Sequence, residues 1–185
     1  MRIIGGKFRG LALASVGKGD AAAHLRPTTD RVRESLFNIL MSRQAGIHDA
    51  RVLDLFAGTG ALGLEALSRG AAQVTFVDDG RKAGALLREN VTKCRADGET
   101  TLIRRDATRL GPNPAPAFDL IFLDPPYGKG LGARALAAAQ TGGWIAPGAL
   151  VVWEESSPQT PPEGFVLLDR RHWGDTHLTL ITAPQ

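Results

Sequence analysis

The chain has 185 residues, enough for one domain with a sheet covered on both faces and too few for a second catalytic domain. Its formal charge is +3, yet 17 of its 22 basic residues are arginine, the side chain best shaped for phosphate. A single cysteine, Cys94, and four histidines without ligand spacing exclude a disulfide framework and a cysteine metal cluster, and no segment reaches the ~20 apolar residues of a membrane helix. A cytoplasmic, metal-free protein with no visible targeting segment is expected.

In chain order, residues 2–14 alternate loosely, with Gly5-Gly6 and Gly10 as turn signals, and predict a small N-terminal hairpin. Its cations Arg2, Lys7 and Arg9 stand between Ile3, Phe8 and Leu11, a pattern that suits a nucleic-acid backbone and equally a solvated edge. Residues 15–24 are small and polar and predict a loop. Thr28-Thr29-Asp30 then offer N-caps to a helix with Val32, Leu36, Phe37, Ile39 and Leu40 on one face, ending near Arg43. Arg26, Arg31 and Arg33 crowd its start, the end whose dipole already favours anions. Such local disfavour marks a phosphate site, although pairing with Asp30 or Glu34 accounts for part of it.

From Arg51 onward strands and helices alternate, which predicts a parallel sheet of βαβ units. The predicted strands cover 51–55, 73–77, 101–105, 118–123, 149–154, 165–171 and 177–181. The predicted helices run to about 69, over 81–95 and over 131–140. The whole reads as one domain, 1–25 being hairpin and loop and 26–185 the core.

The first strand runs into Gly58-Thr59-Gly60-Ala61-Leu62-Gly63, a G-x-G-x-x-G turn through which backbone amides and a helix start can approach a ligand. Asp54 precedes it where a dinucleotide pyrophosphate would have to lie. A carboxylate there repels phosphate and suits a cation, which favours S-adenosylmethionine, an adenosine with a cationic tail, over a nicotinamide. Asp54, Asp78, Asp106 and Asp124 each close a strand, at the edge where open α/β sheets bind ligands. Asp78, 20 residues after Gly58, has the spacing of a ribose ligand, with Asp79 as a substitute. Asp106 and the backbone of Ala107 would border the adenine, and Phe56 would supply apolar wall. Asp124-Pro125-Pro126-Tyr127 offers a carboxylate, proline carbonyls without local donors and a ring, a pocket that accepts the two hydrogens of a planar amine and stacks on its base.

With these residues the chain resembles the class I adenosylmethionine-dependent methyltransferases, and within them the bacterial 16S ribosomal RNA guanine-N2 methyltransferases of the RsmD family. The residues that carry the resemblance are Met1 to Gly10, Arg26 to Glu34, Asp54 to Gly60, Leu62 to Ala71, Asp124 to Tyr127 and Gly174-Asp175-Thr176. The resemblance implies a Rossmann-like α/β fold, a seven-stranded, mostly parallel sheet with helices on both faces and its last strand antiparallel. It implies methylation of one guanine in the small ribosomal subunit or its assembly intermediate, by a monomer. The chain departs from the family at Asp78, where a longer Glu is usual. Two rivals share the motifs: an amino-methyltransferase acting on adenine in DNA or on a protein glutamine, and a non-catalytic RNA-binding module of the same fold.

Overall fold

The computed structural model describes residues 1–15, 29–42 and 46–185. Among these residues, helices α1 (Asp30–Ser42), α2 (Ala61–Ser68), α3 (Arg81–Lys93) and α4 (Leu131–Thr141) accompany strands β1 (Arg51–Leu55), β2 (Gln73–Val77), β3 (Thr100–Ile103), β4 (Phe118–Leu123), β5 (Ile145–Glu155), β6 (Val166–Trp173) and β7 (Thr176–Thr182). One sheet holds them in the order β3-β2-β1-β4-β5-β7-β6. Strands β1 to β5 are parallel, and β7 runs antiparallel to both β5 and β6. The order reverses between β1 and β4, which opens a crevice at their carboxyl ends.

Side chains alternate across the sheet, because successive Cβ atoms leave a strand on opposite faces. Val52, Phe122 and Val152 face α1, α2 and α3, where Phe37 meets Phe122 with ring centroids 5.8 Å apart. Leu53, Ile121 and Val151 face α4, against Ala135, Leu136 and Trp144. Thr29 caps α1 by accepting from the Val32 amide at 3.4 Å. No described helix is long and apolar enough to cross a membrane.

Helix α2 is buried on all sides, from Leu62 through Ser68, so a second layer must cover it. The N-terminal segment does so, with Ile3 fully buried and Leu13 nearly so. Its two arms are bridged at Arg2 and Ala12, as the hairpin expectation requires, but a 3-10 turn at Gly6–Phe8 replaces a longer ladder. The reason is competition: the amides of Ile4 and Gly5 donate to the Glu65 carboxylate at 2.7 and 2.9 Å, and that of Phe8 to Ser68 Oγ at 2.9 Å. Gly6, at φ +77°, lies so close to α2 that a Cβ would sit 1.7 Å from the Ser68 carbonyl oxygen.

Several boundaries differ from the expected ones by one or two residues, and the largest shift is at β5. β3 stops at Ile103, and β5 starts at Ile145 instead of Ala149. Pro147-Gly148 reads as a turn in sequence, yet the strand absorbs it as a bulge, pairing Phe118 with Ile145 and Leu120 with Leu150.

Glu65 is fully buried and also accepts from Arg69 Nε at 2.7 Å, with Arg33 NH1 3.8 Å away. Arg33 is fully buried too, and its Nε and NH1 have no hydrogen-bond partner. Removing the anion leaves the Ile4 and Gly5 amides and Arg69 Nε without their acceptor and takes one of two carboxylates from the buried Arg33, whereas replacing the cation by an apolar side chain of similar length leaves Glu65 with its other donors. Glu65→Ala should therefore cost about 3–5 kcal/mol and Arg33→Met much less. Urea unfolding of both variants checks the order.

Candidate active site

The carboxyl ends of β1, β2, β3 and β4 align at Leu55, Val77, Ile103 and Leu123. The acids expected at those ends are therefore neighbours along one rim. Asp54 is 1% exposed, and its Oδ2 accepts from the Gly63 amide in the first turn of α2 at 2.9 Å. That bond closes the turn between strand and helix, in which Gly58 and Gly60 take φ of +56° and +79° and Phe56 takes +61°. A bulky residue rarely adopts that conformation, and strain of this kind collects at functional sites. Burial pushes the Asp54 carboxyl up to about 7, against the opposing Gly63 hydrogen bond and with help from the charge of Asp78.

Asp78 grips the same turn. Its Oδ2 accepts from the Gly58 amide at 2.9 Å and its Oδ1 from the Gly80 amide at 2.8 Å, while burial raises its pKa. Each oxygen keeps a second lone pair. Asp79 is exposed, and its carbonyl accepts from Arg104 Nε at 3.5 Å. Asp106 caps the 3-10 turn Ala107–Arg109: its Oδ1 accepts from the Thr108 amide at 2.8 Å and hydroxyl at 2.7 Å, bonds that hold its pKa below the usual range. Its Oδ2 lies 3.9 Å from Arg109 Nε, and Ala107 is buried. The expected adenine contact is thus narrowed to one oxygen.

Across the crevice, the Asp124 amide donates to the Leu55 carbonyl at 3.5 Å, which sets Asp124-Pro125-Pro126-Tyr127 beside the glycine turn. Asp124 is half-buried and Pro125 buried. The Tyr127 hydroxyl donates to Glu154 Oε1 at 2.8 Å and lies 3.4 Å from Thr176 Oγ1. Burial raises the Tyr127 pKa, with Thr176 opposing and Glu154 reinforcing the shift, so the phenol remains a donor. The Gly128 amide donates to Glu155 at 3.3 Å. Glu154 and Glu155, each 4% exposed, escaped the sequence reading. The signal was available: they are acids at a strand end, like the other four, following the apolar run Leu150 to Trp153.

The expected cationic face divides. Arg9 and Arg31 are exposed, as is Arg2, whose Nε lies 3.8 Å from Asp30. Lys7 is half-exposed and pairs with Glu99 at 2.6 Å. Arg33 is a correction: its NH2 donates to the Arg2 carbonyl at 2.8 Å and to Asp30 Oδ1 at 2.6 Å, in full burial, so it cannot reach a phosphate. The α-helical period places position 33 on the same face as Leu36, Phe37 and Leu40, which its charge obscured. Arg26 lies outside the described residues.

This rim fits an adenosine with a cationic tail, since the side chains gathered on it are carboxylates, suited to hydroxyls and amines and hostile to phosphate. The sheet order, the glycine turn and the acid series define a class I, Rossmann-like methyltransferase. The family model described as conserved hypothetical protein 95 matches residues 1–182, and the ribosomal RNA small subunit methyltransferases D of Haemophilus influenzae and Escherichia coli are 37% identical over 94% of this chain and 89% of theirs, and 40% identical over 90% and 82%. The chain belongs to that methyltransferase D family. The solved structure of Escherichia coli yhhF covers 100% of this chain and 98% of its own at 36% identity, with a TM-score of 0.83.

Because the folded Asp54 titrates near 7 and an unfolded one near 3.8, the native state holds the extra proton between those values. Stability is then fully present below 3.8 and falls as pH rises toward about 7, by at most about 1.4 kcal/mol per pH unit from this group. Asp54→Asn keeps an acceptor for Gly63 and should flatten that slope, as denaturant unfolding across the range will show.

Proposed function

We propose that this protein methylates the exocyclic N2 amine of one guanine in 16S ribosomal RNA, within the small subunit or its assembly intermediate, with S-adenosylmethionine as donor. The observation that carries the reading is the seat of Asp124-Pro125-Pro126-Tyr127 at the end of β4, across the crevice from the acid-gripped glycine turn. The family's name supports ribosomal RNA as substrate, and the resemblance of Met1 to Gly10 and Arg26 to Glu34 to the guanine-N2 methyltransferases supports guanine N2.

Asp54 would face the cationic tail of the cofactor, and Asp78, not the exposed Asp79, would accept from the ribose through the lone pairs its amide bonds leave. Asp106 Oδ2, the backbone at Ala107 and the ring of Phe56 would border the adenine, with Gly58, Thr59 and Gly60 forming the floor. When bound, S-adenosylmethionine supplies an electrophilic methyl group on a sulfonium sulfur. On the opposite side, Asp124 and the Pro125 carbonyl take the two N–H bonds of the guanine amine. An aromatic amine is a poor nucleophile because its lone pair is delocalised; holding its hydrogens turns that pair out of the ring plane. Pro126 stiffens the loop, and Tyr127 stacks on the base. Presenting the base requires extruding it from its stack, at a few kcal/mol that backbone contacts from Arg2, Arg9 and Arg31, with Lys7 beside them, offset. The enzyme is taken to act as a monomer, in the cytoplasm.

Small subunits from a strain lacking the enzyme, incubated with methyl-labelled adenosylmethionine, should take label on guanine N2. Label in adenine or protein would select the rival amino-methyltransferases, and no label the non-catalytic module. On the same particles, Asp124→Ala should lower the single-turnover rate by a hundred- to a thousandfold, roughly 2.7–4 kcal/mol of barrier. Asp124→Asn, which keeps one acceptor oxygen, should retain more. Equal, near-total loss in both with cofactor still bound would make Asp124 an essential proton acceptor instead of a positioning group.

A further inference from the structure

The Tyr127 ring is anchored from β5 and β7, two strands that carry none of the acids following β1 to β4. Glu154 is one step before the end of β5, paired with Leu178, and Thr176 opens β7 after the Gly174-Asp175 turn. Both reach the single phenol oxygen of Tyr127, at 2.8 and 3.4 Å. A phenol has one proton to give and lone pairs to receive, so the same oxygen can donate to the carboxylate and accept from the threonine hydroxyl. Glu154 is 4% exposed, and a carboxylate kept that dry is costly unless its hydrogen bonds are made. Tyr127 itself is only half-buried, so packing alone does not fix its ring.

We propose that Glu154 and Thr176 are positioning residues that hold the Tyr127 ring in the orientation that receives the substrate base, which makes the β5 end and the β6–β7 turn part of the active site. The proposal rests on the amine-methylating reading above for what is stacked, and on the geometry alone for what is held. Hydrogen bonds to a phenol oxygen lie best near the ring plane, so two partners fix the plane as well as the tip. Glu155 acts on the next residue, holding the Gly128 amide, so consecutive acids secure both sides of the loop's exit. A ring ordered beforehand does not have to be ordered by the incoming base.

A double-mutant cycle tests this. Tyr127→Phe and Glu154→Ala should each lower the single-turnover methylation rate roughly tenfold or more, the worth of one hydrogen bond to a charged group, with adenosylmethionine affinity unchanged. Combined, they should lower it no further than Tyr127→Phe alone, because loss of the phenol oxygen already removes the contact with Glu154. Glu154→Gln, which still accepts, should stay within about threefold of the parent. Multiplying losses, or a Gln variant as poor as the Ala variant, would overturn the proposal. Should Glu154→Ala fail to fold, Thr176→Val completes an equivalent cycle with Tyr127→Phe.

Tyr127 is the only tyrosine in the chain, so isotope-labelled tyrosine gives one set of ring signals in the nuclear magnetic resonance spectrum. In the parent those signals should show a restrained ring and a slowly exchanging hydroxyl, and both features should vanish in Glu154→Ala or Thr176→Val. A ring equally restrained in the parent and both variants, or already mobile in the parent, would also overturn the proposal. This measurement needs no turnover, so it decides the anchoring even if label fails to appear in guanine, which would overturn the proposed substrate alone.

Discussion

The hydrogen bond from the Gly63 amide to Asp54 is the constraint on which the site depends. It joins the end of β1 to the first turn of α2 inside the core, where an unmade bond of this kind costs more than a made one contributes. With strand and helix tied there, the residues between them must turn sharply, and the positive φ angles of Phe56, Gly58 and Gly60 follow. Asp78 then reaches over from β2 to hold the Gly58 amide, so the loop is pinned by carboxylates from two strands. The same carboxylates are the groups with lone pairs to spare at the rim. Under the proposed function, scaffold and recognition would share one set of atoms.

The helix in that tie, α2, needs a covering layer, which explains why the N-terminal segment does not float free as a tail. Its backbone donors are consumed by Glu65 and Ser68, and its apolar side chains Ile3 and Leu13 join the core. The exposed cations Arg2 and Arg9 are therefore displayed on a segment tied to α2, with Arg31 on helix α1. A cation on such a support meets a phosphate without the entropy loss that a flexible arm would suffer.

Much of this was legible in the residues because the local signals were mutually consistent. Strands β1, β2 and β4 appear where alternation and turn residues put them, and a parallel sheet forces their acidic ends onto one edge. What was not legible depended on long-range partners. The pairing of Arg33 with Asp30 is local and was legible, but nothing near Arg33 in sequence announces the second carboxylate, Glu65, 32 residues on, beside which it is buried. The bulge at Pro147-Gly148 depends on β4 alongside, and the partnership of Tyr127 with Glu154 depends on β5 being its neighbour. Asp106 shows a third kind of limit. β3 stops at Ile103, so Asp106 caps the following 3-10 turn instead of closing the strand, and Thr108, two residues away, competes for the same oxygen.

The outer strand β6 carries a cost of its own. Val166, Leu167 and Leu168 are 59%, 41% and 40% exposed on a strand whose outer side has no neighbouring strand among the described residues. An open, flat, apolar edge is a template for strand addition by another chain, the first step toward aggregation. The pairing with β7 shifts register between Leu167 and Asp169, and Asp169, Arg170 and Arg171 follow at once. The irregularity bends the edge and the charges desolvate poorly, so the apolar run ends after three residues. These residues are gatekeepers. They interrupt the apolar edge at the end of the sheet farthest from β3, away from the crevice where β1 and β4 part.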